Sequence, residues 1–117
     1  MVWVLIAAGG VVGALLRLGI YAAFAFSPIA TLLVNLLGSF AIGALLPWLL
    51  RDARRTNLIP FVITGVLGGF TTFSAFAADT VLLLDDGMVI AAAGYVVVTL
   101  AGGILAARLC QRIAGQP

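Results

Sequence analysis

The chain alternates long apolar stretches with short polar breaks. A bilayer core about 30 Å thick takes roughly 20 residues of helix to cross, and four stretches reach that length: residues 2–24, 29–50, 58–84 and 88–109. The breaks have cap or turn sequences, such as Ser27-Pro28 before the second stretch and Asp85-Asp86-Gly87 before the fourth. We therefore predict an all-α membrane protein with four transmembrane helices, forming one domain over residues 1–117.

Polar residues recur at helical spacing inside two of these spans. Thr31, Asn35 and Ser39 are spaced i, i+4, i+8 in the second span, and Tyr95 and Thr99 are four apart in the fourth. Each set therefore shares one helix face. Polar groups at membrane depth usually face a protein or water-filled interior. The stripes indicate either a polar path or hydrogen bonds between helices, which contribute about 0.6 kcal/mol each on average.

The third span has an unusual centre, residues 68–76, with the sequence GGFTTFSAF. A glycine costs about 1 kcal/mol in a helix interior, and the hydroxyl side chains compete for backbone hydrogen bonds. We therefore predict that this helix is broken in mid-membrane. Unwound backbone at that depth must be buried in protein or line a cavity, and broken helices often hold ions. A kink that serves packing alone is the alternative.

The composition limits what the protein does. Hydrophobic residues make up 64% of the chain and charged residues 9%, whereas soluble domains carry about a quarter charged residues. There is no histidine and one cysteine, Cys110. Zinc sites and histidine-based triads are therefore excluded, and the chain is not expected to be an enzyme. The arginines lie at the ends of apolar runs rather than in one basic patch, which argues against nucleic-acid binding.

The charges also predict an orientation. Four spans place both termini and the polar loop 51–57 on one side, together with five of the six arginines, residues 51, 54, 55, 108 and 112. The positive-inside rule then puts both termini in the cytoplasm. The N-terminus lacks the basic region of a signal peptide, so we expect the first span to be retained.

Two charged residues fall within apolar sequence. Arg17 is close enough to a span end for its side chain to reach the headgroups. Asp79 lies deeper, and it is either a proton-coupling carboxylate or a residue that pairs locally. We favour the local pairing.

The third-span sequence GGFTTFSAF resembles the signature of the Fluc family of fluoride channels. Two further segments, GGVVGALLR at residues 9–17 and TLLVNLLGS at 31–39, agree with that family in order and position. The resemblance covers essentially the whole chain. It implies an antiparallel, dual-topology dimer with two fluoride pathways near the interface, which lets fluoride leave the cell passively across the inner membrane.

The resemblance also implies roles for particular residues. Asn35, Phe73 and Phe76 would carry fluoride, because an amide offers N–H donors and aromatic rings have positive edges. A structural sodium ion would be held at the dimer centre by the backbone carbonyls of Gly68 and Thr71. The rest of the fluoride pathway would comprise Thr31, Ser39, Tyr95, Thr99 and Arg17.

Some features depart from the family pattern. Ala75 replaces a frequent threonine, Gly103 interrupts the hydroxyl track of the fourth helix, and Asp79 stands where glutamate is common. The arginine bias favours a single orientation, whereas a dual-topology homodimer needs both orientations of one chain. The partner is either a second copy or a homologue of opposite bias.

Two other functions fit parts of the sequence. A small proton-coupled multidrug-type exporter also has four helices and an antiparallel dimer, but it needs a membrane carboxylate, usually in the first helix. The first two spans contain no acid, so only Asp79 is available. A non-transporting membrane subunit would explain the small residues and leave the polar stripes without a role.

Overall fold

Helices account for nearly all of residues 1–113, the part of the chain that the computed structural model describes. Residues 114–117 of the predicted domain lie outside the described residues. Among residues 1–113 there is no strand, which confirms the all-α prediction. The helical segments are α1 (Val2–Ala23), α2 (Pro28–Leu50), α3 (Ala53–Thr56), a π-helix (Pro60–Leu67), α4 (Gly68–Phe70), α5 (Phe73–Asp85) and α6 (Val89–Ile113).

Four segments are long and apolar enough to cross a membrane, as predicted: α1, α2, Pro60–Asp85 and α6. The fourth extends to Ile113, beyond the predicted end at residue 109. Large apolar side chains cover the outside of the bundle, among them Leu15, Ile90 and Leu105, which are each more than half exposed. Because such a surface is unstable in water, the chain is a multi-pass membrane protein.

The third span is helical on both sides of an extended dipeptide. Thr71 (φ −75°, ψ 157°) and Thr72 (φ −150°, ψ 121°) leave the helical region close to the middle of the 26-residue segment. The Thr72 hydroxyl accepts a hydrogen bond from the Ala75 N–H at 3.2 Å and so caps α5. The helix is thus interrupted within the hydroxyl run, and the depth of the interruption in a bilayer stays a prediction.

Glycines let the backbone of α1 pack directly against the backbone of the π-helix. A Cβ added at Gly9 would collide with the Phe61 carbonyl, and one added at Gly13 would collide with the Val66 carbonyl. Small residues permit such approaches in membranes. Gly13 follows Gly9 in α1, and its contact Val66 follows Phe61 in the π-helix. The two segments therefore run in the same direction.

A second glycine contact joins α2 to α6. A Cβ at Gly43 would collide with the backbone of Ala107, and one at Gly103 would lie 3.1 Å from the Ser39 hydroxyl. These two helices therefore also run in the same direction. Met1, the 51–57 loop and Ile113 lie at one end of the bundle, which we call the arginine end. The connections 24–27 and 86–88 lie at the other, which we call the aspartate end.

The α1 contact makes a testable prediction about stability. We expect Gly13→Ala to destabilise the protein by about 1–3 kcal/mol, because the methyl group would force apart two backbones that cannot repack locally. Gly10→Ala is the matched control, since no atom lies within 4 Å of a Cβ there. It should be neutral or slightly stabilising, because alanine favours a helix by up to about 1 kcal/mol. Thermal unfolding in detergent measures both, and equal midpoints would contradict this packing.

Candidate functional site

Asn35 of α2 is bonded to the interruption of the third span. Its Nδ2 donates to the Thr72 carbonyl and its Oδ1 accepts from the Thr72 N–H, each at 2.9 Å. Thr72 is extended, so its N–H does not return to the Gly68 carbonyl four residues earlier as in a continuous helix. Asn35 therefore supplies the partners that the broken helix lacks, which positions the start of α5. The amide nitrogen keeps a second N–H for another acceptor.

A cavity of about 570 Å³ opens between α2, the interruption and α6. Its wall is mainly apolar, with a few polar groups that come from three different segments. The structure brings together many of the residues predicted for the site. Those lining the cavity are Asn35, Ser39, Gly68, Thr71, Phe73, Phe76 and Thr99.

The Thr99 hydroxyl is a buried polar group on this cavity wall. Thr99 is 8% exposed, and its Oγ1 has no hydrogen-bond partner among the described residues. An unpaired buried hydroxyl costs about 1–3 kcal/mol, and a hydrogen-bond acceptor brought within its reach would offset that cost. Gly103 lies one turn later and also lines the cavity. A side chain there would press on Ser39, so the glycine keeps the space beside that hydroxyl open.

Three aromatic rings are packed in series beside the cavity. The Phe73 and Phe76 centroids are 5.6 Å apart with an interplanar angle of 50°, and the Phe76 and Tyr95 centroids are 5.5 Å apart. Phe76 is 8% exposed, whereas Phe73 is 76% exposed. The tilted geometry is typical of aromatic pairs, in which the positive edge of one ring faces the next. Phe73, the outermost ring, is therefore exposed on the side away from Phe76.

A second cavity, of about 540 Å³, lies between α1 and the start of α5. Arg17 lines it, and its Nη1 donates to the Thr71 carbonyl at 3.4 Å. The guanidinium therefore contacts the interruption. Tyr21, Thr72 and Ser74 also line this cavity, as does Ala75, one of the departures from the family pattern.

Comparison with known proteins decides the family. A family model described as CrcB-like protein, Camphor Resistance (CrcB), matches residues 4–111. The chain belongs to the CrcB-like family. The resemblance to the Fluc family is thereby confirmed, because relatives of this CrcB-like chain are named fluoride-specific ion channel FluC.

Three such relatives show the extent of the similarity, and all carry that name. The protein from Roseobacter denitrificans is 43% identical over 104 residues, covering 83% of this chain and 82% of the relative. The protein from Rhizobium meliloti is 40% identical over 109 residues, covering 87% and 86%. A protein from Thermus thermophilus is 42% identical over 118 residues, covering 97% and 93%.

Two predicted pathway residues of this CrcB-like chain lie outside both cavities. Thr31 is fully buried, and its Oγ1 shares a hydrogen bond of 2.6 Å with the Tyr21 hydroxyl. Tyr95 donates its hydroxyl proton to the Asp79 Oδ2 at 3.1 Å. Asp79 thus has a hydrogen-bond partner on another helix, α6. Tyr21 was missed by sequence reasoning, although its position four residues after Arg17 places it on the same face of α1.

Proposed function

We propose that the chain is a subunit of a fluoride-selective channel that lets fluoride leave the cell passively across a bacterial inner membrane. The observation that carries the proposal is the unpaired hydroxyl of Thr99, a residue that lines the same cavity as Asn35. Two polar residues from different helices thus line one cavity. The names of the relatives point to fluoride as the ion.

The chemistry of the cavity suits a small, strongly hydrated anion. Such an ion needs donors that replace its water, and hydrogen bonds to a charged group contribute about 1.5–3 kcal/mol each. The Asn35 amide and the Thr99 hydroxyl are donors of this kind, and the edges of Phe73 and Phe76 add a weak positive potential. The described lining residues include no charged side chain. An anion can therefore enter and also leave, as conduction requires.

The exposed side of the cavity supports a dimer. Phe73 is 76% exposed although its ring packs against Phe76 at the cavity wall. A second subunit in antiparallel orientation would cover this ring and close the cavity from the open side. The functional unit is then a dual-topology dimer with two fluoride pathways near the interface.

The backbone carbonyls of Gly68 and Thr71 are the groups that would hold a structural sodium ion at the dimer centre. The Thr72 N–H bonds to Asn35, which frees the Gly68 carbonyl from its usual helical partner, and the Thr71 carbonyl lies in the same interruption. Carbonyl oxygens are ligands for hard cations. The Arg17 guanidinium already contacts the Thr71 carbonyl at 3.4 Å. A sodium ion would share that oxygen with Arg17, and Gly68 and Thr71 of both subunits would hold it.

The proton-coupled exporter has weaker support. Apart from Asp85 at its end, the third span contains one acid, Asp79. The Asp79 carboxylate accepts a hydrogen bond from the Tyr95 hydroxyl, and Asp79 lines neither cavity. A carboxylate that carries protons must reach water and substrate in turn. The geometry therefore favours the channel.

Thr99 provides a direct test of the pathway. Thr99→Val keeps the shape and removes the hydroxyl, so we expect fluoride efflux from reconstituted liposomes to fall about tenfold, the loss of one charge-assisted hydrogen bond. Thr99→Ser is the matched control, since it retains the hydroxyl and should stay close to the native rate. A fluoride electrode follows both. A native rate for Thr99→Val, with unchanged thermal stability, would place the pathway elsewhere.

A further inference from the structure

The connection between α1 and α2 contains two residues in the left-handed backbone region. Ala25 (φ 51°) and Phe26 (φ 54°) are the two non-glycine residues with positive φ among residues 1–113. A Cβ makes this region unfavourable, so glycine usually occupies it. Such strained conformations persist where the surrounding structure holds them in place, and they concentrate at ligand clamps and switch regions.

Two hydrogen bonds and one ring contact hold this turn. The Phe26 N–H donates to the Tyr21 carbonyl at 2.8 Å, which is the longer-range bond of a Schellman motif at the end of a helix. The Ser27 N–H donates to the Phe24 carbonyl at 3.2 Å. The Phe26 and Tyr21 ring centroids are 5.9 Å apart, and an apolar contact between these two positions is typical of the motif. The strained turn therefore places the Phe26 ring on the Tyr21 ring.

The Tyr21 ring is fixed to the core of the bundle, whereas the Phe26 ring lies at its surface. The Tyr21 hydroxyl shares a hydrogen bond of 2.6 Å with the Oγ1 of Thr31, which is fully buried on α2. The Phe26 side chain is 63% exposed. A change in the turn would therefore move the Phe26 ring away from a Tyr21 ring that stays in place.

Phe26 lines the second cavity where that cavity approaches the aspartate end of the bundle. Arg17, also on the cavity wall, lies six residues before the end of α1, which is about 9 Å inward along the helix axis. Thr72 lines this cavity and also the cavity that contains Asn35, so the two cavities share a wall. In a bilayer, water at the aspartate end is the nearest source of ions for the second cavity. The route from that water to Arg17 passes Phe26.

We propose that the Phe26 ring is a lid on the second cavity, and that anions enter the cavity from the aspartate end when the lid moves away. In the closed position Ala25 and Phe26 are left-handed and the ring lies on Tyr21. In the open position both residues return to the ordinary backbone regions. The strain of two left-handed residues opposes the two hydrogen bonds and the ring contact, which keeps the open position accessible. The lid rests on the geometry of the turn, and fluoride as the admitted anion rests on the proposed function.

A reporter thiol inside the cavity tests the lid. Ala14 lines the second cavity further inward than Arg17, and Ala14→Cys is made in a chain whose buried Cys110 is replaced by alanine. The full chain is placed in lipid nanodiscs, which open both membrane faces to water. The probe is the impermeant anion sulfonatoethyl methanethiosulfonate, and mass spectrometry follows the modification rate. Ser39→Cys is the control reporter, since Ser39 lines the other cavity and not this one.

The lid predicts opposite effects for two substitutions in the turn. Phe26→Ala removes the ring and should raise the modification rate of the Ala14→Cys reporter about tenfold, since the probe no longer waits for the open position. Ala25→Gly should lower the rate about tenfold, because glycine takes a positive φ without strain and stabilises the closed position; tenfold corresponds to about 1.4 kcal/mol. The rate at the Ser39→Cys reporter should stay unchanged in both.

Three outcomes would overturn the lid. Equal rates with and without Phe26→Ala would show that the ring is an interfacial side chain that closes nothing. A faster rate with Ala25→Gly would show that the left-handed turn does not hold the ring over the cavity. An equal change at the Ser39→Cys reporter would show that the substitution loosens the whole bundle rather than the entrance of one cavity.

Fluoride efflux from liposomes separates the lid from the proposed function. Ala25→Gly should lower efflux, and Phe26→Ala should at least match the native rate. Modification rates that follow the lid, in a protein that passes no fluoride, would leave the lid correct and make the proposed function wrong. Native fluoride efflux with Ala25→Gly, when modification is slowed, would overturn the role of the lid in fluoride entry.

Discussion

Replacing Asn35 by leucine should reduce fluoride efflux about a hundredfold and lower the stability of the protein. The substitution removes the donor for the ion and both hydrogen bonds to Thr72, each of 2.9 Å. The part-buried Thr72 N–H and carbonyl then lose their protein partners, at a cost of up to about 1–3 kcal/mol each. The start of α5 would no longer be fixed against α2. Efflux from liposomes and thermal unfolding in detergent measure the two effects.

The variant Asn35→Asp separates these effects. It keeps an acceptor for the Thr72 N–H and loses the donor for the Thr72 carbonyl and for the ion. We therefore expect it to unfold at a temperature between those of the native protein and Asn35→Leu, with efflux as low as that of the leucine variant. If both variants unfold at the native temperature, Asn35 does not hold the interruption in place.

Phe76→Ile should reduce fluoride efflux more than tenfold without preventing dimer assembly. Phe76 is buried between the rings of Phe73 and Tyr95, with centroids 5.6 and 5.5 Å away. Isoleucine fills most of the space but has no positive ring edge for an anion, and the lost stacking is worth only about 0.5–1.5 kcal/mol per pair. Phe73→Ile should have a similar effect on efflux. Liposome efflux and cross-linking of the dimer give the two readouts.

Phe40→Ile is the matched control for this pair, because Phe40 is half exposed on α2 and lines neither cavity. It should conduct at the native rate. Native efflux in both Phe73→Ile and Phe76→Ile would show that fluoride crosses the protein by another route.

Much of the fold follows from local sequence. Apolar runs of 20 residues or more have one stable solution in a bilayer, so the four candidate spans were predictable. The interruption was predictable from its chemistry, because residues 71 and 72 have hydroxyls that satisfy the backbone outside a helix. Thr72 does this as the N-cap of α5.

The π-helix was not predictable. Pro60–Leu67 is almost uniformly apolar, so its sequence does not distinguish a wide helix from an ordinary one. Its backbone meets that of α1 where Gly9 and Gly13 permit close approach. The local helix type therefore depends on packing between segments far apart in the sequence.

The site residues were likewise predictable only in part from the sequence. Thr31, Asn35 and Ser39 share a face by spacing, yet the cavity is lined by Asn35 and Ser39, while Thr31 pairs with Tyr21. The partner comes from α1, and spacing within α2 carries no information about it. Tyr95 is likewise turned toward Asp79. Periodicity identified which residues are internal but not which internal groups were already paired.

Anion efflux from liposomes tests the central claim most directly. The native chain is purified in detergent, where its copies can pair in either orientation. It is reconstituted into liposomes loaded with equal fluoride and chloride, and efflux is followed with ion-selective electrodes, with a potassium ionophore for charge balance and no pH gradient. We predict rapid loss of fluoride with negligible loss of chloride. Comparable loss of chloride, a requirement for a pH gradient, or retention of fluoride would contradict the account.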